Sequence, residues 1–121
     1  MPIVKVWCLP LMEQKKLWEL KKRIKAAVVS VEELELREND ITCLFPLDMM
    51  SYELGEEIIV EVTGFFETAK RTVDVRTRLA RALGQAIFFM FPEAKIECFI
   101  YPFHPVQGFW TKRVSKIDTF A

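Results

Sequence analysis

Histidine occurs once in these 121 residues, cysteine three times, and neither sign of charge is in excess. Cys8, Cys43 and Cys98 are odd in number, widely spaced and set in apolar segments. That pattern argues for buried thiols in a reducing cytosol, against a disulfide framework or a zinc site. Seventeen Lys and Arg balance seventeen Asp and Glu, so the strong backbone attraction that drives nucleic-acid binding has no support. The longest apolar run, AIFFMF from Ala86 to Phe91, is far shorter than the ~20 residues that cross a bilayer. No basic stretch followed by an apolar core opens the chain, and a cytoplasmic protein without a membrane partner is expected. There is no Gly-rich phosphate loop and no paired-carboxylate motif, and Ser51 has no base and acid beside it. Nucleotide, metal and nucleophilic chemistry are therefore unsupported, and no cofactor or metal is expected.

What is present is an apolar half and an internal repeat. The length and composition fit one domain over residues 1–121 with a real core. IVKVW (Ile3 to Trp7) is echoed by IVEVT (Ile59 to Thr63), displaced by 56 positions. ITCLFP (Ile41 to Pro46) is echoed by IECFIYP (Ile96 to Pro102), with isoleucines 55 apart and one extra residue in the second copy. Two matches at nearly one offset describe a unit written twice, roughly 1–50 and 56–110.

Each unit reads as strand, helix, strand. In the first, Leu17, Leu20, Ile24, Ala27 or Val28, and Val31 fall at helical spacing. Lys15, Lys16, Lys21, Lys22, Arg23 and Lys25 share this segment; they read as a solvated face, with an acidic partner as the alternative. In the second, Leu79, Leu83, Ala86, Ile87 and Met90 form the stripe. Thr72 suits the cap, Asp74 the positive end of the dipole, and Pro92 the stop. SVEE (Ser30 to Glu33) has capping-box spacing and predicts a short helical turn before Ile41. DMMSYELGE reads as a loop or hairpin around Gly55.

The predicted fold is α/β in two layers (α+β): duplicated β-α-β units, a four-stranded mixed sheet, and two helices on one face. Val4, Val6 and Cys8 alternate with Ile3, Trp7 and Leu9, so both sheet faces look apolar and the uncovered one calls for self-association.

Pro2 raises a chemical question. A proline suits the first residue of a strand, where its missing N–H does least harm. If Met1 is removed, it is also a secondary amine at the end of a sheet. PIVKVW followed by EQKK, the duplicated β-α-β layout, the pair Pro92 and Glu93, and Gly108 with Phe109 in a closing hairpin together resemble the tautomerase superfamily. That group includes 4-oxalocrotonate tautomerase and macrophage migration inhibitory factor. The stretch IIVEVTGFF and the helix after it also resemble a small bacterial branch of that superfamily without assigned function.

The resemblance implies a tautomerase or isomerase acting on small α-keto or enol acids, with Pro2 as general base. It implies Arg71 and Lys70, just before the Thr72 cap, as holders of a substrate carboxylate. Phe65 would line the pocket, although core packing is its plainer reading; Phe109 either walls the site or packs a subunit contact. It also implies a homotrimer. In the first copy the stretch CLPLMEQ, with Pro10, offers no arginine, and Thr42 stands where the family carries another; Arg37 lies a few residues upstream. His104, in YPFHPV, reads as part of an ordered turn. The alternative is a non-catalytic oligomer that binds a small molecule or a protein partner.

Overall fold

The computed structural model describes residues 2–51 and 54–111. Along the chain run β1 (Ile3–Trp7), α1 (Gln14–Ser30), β2 (Thr42–Leu44), β3 (Glu57–Phe66), α2 (Val73–Met90) and β4 (Lys95–Phe103). Short 3-10 turns occupy Glu32–Leu34, Glu38–Asp40 and Pro105–Gln107. The strands form one sheet in the order β2-β1-β3-β4. β1 runs parallel to β2, β3 parallel to β4, and the two central strands antiparallel to each other. This is the duplicated β-α-β architecture expected from the sequence.

Strand register confirms the repeat residue by residue. Ile3 opposite Thr42, Val4 opposite Cys43 and Lys5 opposite Leu44 recur as Ile59 opposite Glu97, Val60 opposite Cys98 and Glu61 opposite Phe99. Where the copies meet, Lys5 pairs with Glu61, its own counterpart at the offset of 56. The local two-fold passes between these two residues, and their opposite charges favour a contact that identical copies would oppose.

One core joins the copies. Val4, Val6, Ile58, Val60 and Val62 turn one sheet face toward Leu20, Ile24 and Val28 of α1 and Val75, Leu79, Leu83 and Ile87 of α2, all at most 4% exposed. Each such side chain is worth roughly 1.5–3 kcal/mol of burial. The α2 cap is as expected: Thr72 Oγ1 accepts from Val75 N at 3.3 Å. Asp74 sits in the first turn.

After each central strand the chain makes the same local move. Cys8 and Gly64, 56 apart, both adopt the left-handed region, at φ 67° and 64°. The residues that follow, Leu9 and Phe65, both turn into the core, at 8% and 0% exposure. In β3 this is a bulge: Val62 faces Ile100 and Phe65 faces Pro102, one residue more on β3 than on β4. A bulge shifts side-chain alternation by one, and so Phe65 points to the helical side.

Three expectations need correction. The second sheet face is not uniformly apolar. Trp7, Ile59, Phe99 and Tyr101 share it with Lys5, Glu61 and Glu97, and Trp7 Nε1 donates to Glu61 Oε1 at 2.8 Å. Ser30 does not cap the turn after α1; it belongs to the helix, and its hydroxyl donates to Ala27 O. Beyond β4 comes a 3-10 turn, with no closing hairpin among the described residues. Gly108 lies so near Phe103 that a Cβ there would come within 2.5 Å of the ring. Tyr52 and Glu53, in the expected loop, and Met1 lie outside the described residues.

Candidate functional site

The antiparallel centre of the sheet brings the start of β1 to the end of β3. Ile3 pairs with Thr63, and Pro2, buried, immediately precedes Ile3. The Pro2 carbonyl accepts from Thr42 N at 3.1 Å, which fixes this end of β1 against β2. Its ring nitrogen is the chemical question. With Met1 attached it is a tertiary amide without basicity. Without Met1 it is a secondary amine.

At the same end of the sheet an open cleft of about 560 Å³ lies between the β3–α2 connection and the chain after β4. Glu67, Thr68, Arg71, Arg76, His104 and Val106 line it. Arg71 is the best-fixed of its cations. Nη1 donates to Phe66 O at 3.1 Å and Nη2 to Leu34 O at 3.2 Å. The guanidinium carbon stands 4.7 Å from the centre of the Phe65 ring. The bulge at Gly64 therefore supplies the ring on which Arg71 rests. Burial lowers the Arg71 pKa, while Glu35 pulls the other way; a guanidinium remains charged regardless.

Arg76, on the first turns of α2, is half-buried and has no carboxylate partner among the described residues. His104 Nδ1 accepts from Val106 N at 3.3 Å and caps the turn Pro105–Gln107. In the neutral ring this leaves the proton on Nε2.

The residues named from sequence separate here. Arg71 lines the cleft, Phe65 lies beneath it, wholly buried, and Pro2, at the same end of the sheet, is not part of its lining. Lys70 pairs with Glu35 instead of lining the cleft. Phe109 is 91% exposed and lines no part of it; Trp110 packs on Phe66, ring centres 4.7 Å apart. Arg37 pairs with Asp40 at 3.7 Å and also stays out. Arg76 and His104 join through folding: Arg76 reads from sequence as one of three arginines off the apolar stripe, and His104 as a turn residue. The half-buried cysteines behave as apolar groups. Burial pushes the Cys98 thiol up to about 12 and raises that of Cys43, against Lys25 and Lys21.

The first copy differs at the start of its helix. Where α1 begins, a cleft of about 480 Å³ is lined by Pro10, Leu11, Met12, Glu13, Met90 and Phe91, with Lys16 and Glu19. Glu13, the residue before α1, makes no side-chain cap bond. This cleft holds no arginine, as the sequence CLPLMEQ foretells.

No family model and no curated protein matches the chain. Solved structures do share its fold. A fused 4-OT, wild type, solved as a symmetric trimer, superimposes with a TM-score of 0.67 at 14% identity, over 97% of this chain and 98% of that one. A malonate semialdehyde decarboxylase inhibited by 3-bromopropiolate gives 0.66 at 14% identity, over 98% of this chain and 95% of that one. Another malonate semialdehyde decarboxylase, solved in wild-type, mutant and inactivated forms, gives 0.65 at 10% identity over 91% of both chains. The chain shares the fold of these 4-OT and malonate semialdehyde decarboxylase structures.

Proposed function

We propose that this chain, built on the tautomerase-superfamily fold, is a tautomerase-like protein that binds a small carboxylate-bearing α-keto or enol acid in the Arg71 cleft. Pro2, freed by removal of Met1, is the general base. The observation that carries the reading is that a buried proline and a well-held, half-buried guanidinium lie at one end of one sheet. A neutral secondary amine there removes a proton beside the substrate carbonyl and returns it at the other carbon of the enol system. Such positioned transfer is worth about 10²–10⁴-fold in rate. Arg71 and Arg76 hold the carboxylate and stabilise charge that develops on the enolate oxygen.

The assembly is read as a homotrimer. Its support is the trimeric fused 4-OT of the same fold and the sheet face where Phe99 and Tyr101 are nearly half-exposed. Among the described residues no helix is long and apolar enough to cross a membrane. A second reading, an oligomeric binding protein without catalysis, draws on Lys70, whose pairing with Glu35 takes one of the two expected anion holders.

The test is ketonisation of phenylenolpyruvate by protein shown by intact mass to lack Met1, beside Arg71→Ala. Catalysis that falls by tenfold or more in the variant, roughly the loss of one charge-assisted hydrogen bond, supports the reading. A background rate in both favours the binding protein.

A further inference from the structure

Glu35 carries an unusual backbone, and it stands at the seam between the two copies. Its φ of 54° and ψ of 41° lie in the left-handed region, which a residue with a Cβ enters at a cost and which glycine or asparagine would fill more readily. Such outliers persist where the surroundings over-determine them. Here the surroundings come from the other copy. Glu35 pairs with Lys70, and Glu33 pairs with Arg78. Between those two pairs the Leu34 carbonyl accepts from Arg71 Nη2 at 3.2 Å.

The turn is closed from within by Leu34 N to Val31 O at 3.1 Å and Glu35 N to Glu32 O at 3.0 Å. The bond from Glu35 N fixes the peptide between Leu34 and Glu35, whose carbonyl accepts from the guanidinium, and the left-handed backbone of Glu35 turns the chain away after it.

We infer that the turn Glu32–Leu34 with Glu35 is a positioning element for Arg71: Glu33 clips this part of the first copy to α2 of the second and Glu35 clips it to the β3–α2 connection, and the clip holds the Leu34 carbonyl as the second anchor of the guanidinium. Phe66 O, on the second copy, is the first anchor. With Nη1 and Nη2 each donating to a fixed carbonyl and the ring of Phe65 below, Arg71 cannot rotate about its Nε–Cζ bond without losing both contacts. Its remaining N–H groups are presented to the cleft in one orientation. Glu33 and Glu35 are thus positioning residues, while Arg71 touches the ligand. The contribution to ligand binding rests on the proposed carboxylate site; the restraint on Arg71 does not.

The experiment uses nitrogen-15 NMR of the arginine side chains in the full chain, with Arg71→Lys to assign the Arg71 signals and malonate as the anion probe. Wild type is expected to show separate Nη signals for Arg71, the mark of hindered guanidinium rotation. In a Glu33→Gln and Glu35→Gly double variant these signals merge, and malonate binds roughly three- to tenfold more weakly, the range of a weakened charge-assisted hydrogen bond. Glycine suits the left-handed backbone, so this variant tests the clip without imposing backbone strain. Asp74→Asn, which removes the exposed partner of Arg78 on its own helix, leaves both readouts unchanged.

Separate Arg71 signals that survive in the double variant overturn the inference, as does a freely rotating guanidinium in wild type. Restraint that is lost in the double variant, with no malonate response in wild type, upholds the clip and removes the carboxylate site instead.

Discussion

The two copies share a backbone and differ in what stands where a helix begins. In the second, Thr72 caps α2 with its hydroxyl, Asp74 follows, and Arg71 and Arg76 face a cleft. In the first, Glu13 precedes α1 without a side-chain cap bond, no acidic residue sits in the first turn, and the cleft is lined largely by Pro10, Leu11, Met12 and Phe91. The strands that carry both openings match position by position. Strand pairing and core burial thus preserve the frame, while the connections after β1 and β3 are free to diverge in chemistry. A duplicated fold can in this way keep two symmetric supports and equip only one.

The sharpest way to break the comparison is at the buried residue after each left-handed position. Phe65→Ala should cost about 3–5 kcal/mol in urea unfolding, and Leu9→Ala about 2–5 kcal/mol. Only the first change should also weaken anion binding, because only Phe65 lies under a guanidinium. Equal effects of both on binding would show that the second copy's ring has no special part.

A smaller effect belongs to the left-handed residues themselves. Cys8 holds φ 67° with a side chain, whereas Gly64 holds φ 64° without one. Gly64→Ala should destabilise by about 1–2 kcal/mol, the strain of a Cβ in that region. Cys8→Gly should relieve comparable strain, less what the thiol contributes through its contacts, and raise the urea midpoint. A midpoint that falls in Cys8→Gly would mean that those contacts outweigh the strain.

The smallest effect is electrostatic and lies at the seam. Hydrogen bonds from Arg78 and Lys70 hold Glu33 and Glu35 below the ordinary carboxylate value of 4.5. A lowered folded-state pKa stabilises above the unfolded value and is lost as pH falls through the folded one. Stability should therefore drop below about pH 4.5, more steeply in wild type than in a Glu33→Gln and Glu35→Gln variant. Both groups are exposed, so the difference in slope is modest. Parallel pH profiles would show that neither pair contributes.

Much of the frame was legible before folding. Offsets of 56 and 55 mark the two β-α-β units and relate the register of one parallel pair to that of the other, while the meeting of Lys5 with Glu61 at the centre came only with folding. The bulge was not read from the sequence, although a glycine inside a strand, here Gly64, is its usual mark. Nor was the mixed character of the second sheet face, because Glu61 and Glu97 join Trp7 and Phe99 only through register.

Arg71 was legible by its place before a cap, but its anchors were not. Leu34 lies 37 residues away, and the left-handed backbone of Glu35 has no signature in a glutamate. Arg76 and His104 escaped for the same reason: the cleft that they share exists only once α2 and the end of β4 are side by side. Phe109, which the Gly-aromatic pair suggested for the pocket, follows a turn that carries it into solvent.

The central claim is that Pro2 is a base at the equipped end of the sheet. Its most direct test measures phenylenolpyruvate ketonisation by three proteins checked by intact mass: the chain without Met1, the chain that retains it, and Pro2→Ala without Met1. The account predicts activity in the first alone, lower by about 10²-fold or more in the other two. Equal rates in all three would contradict it and leave Pro2 as the first residue before a strand.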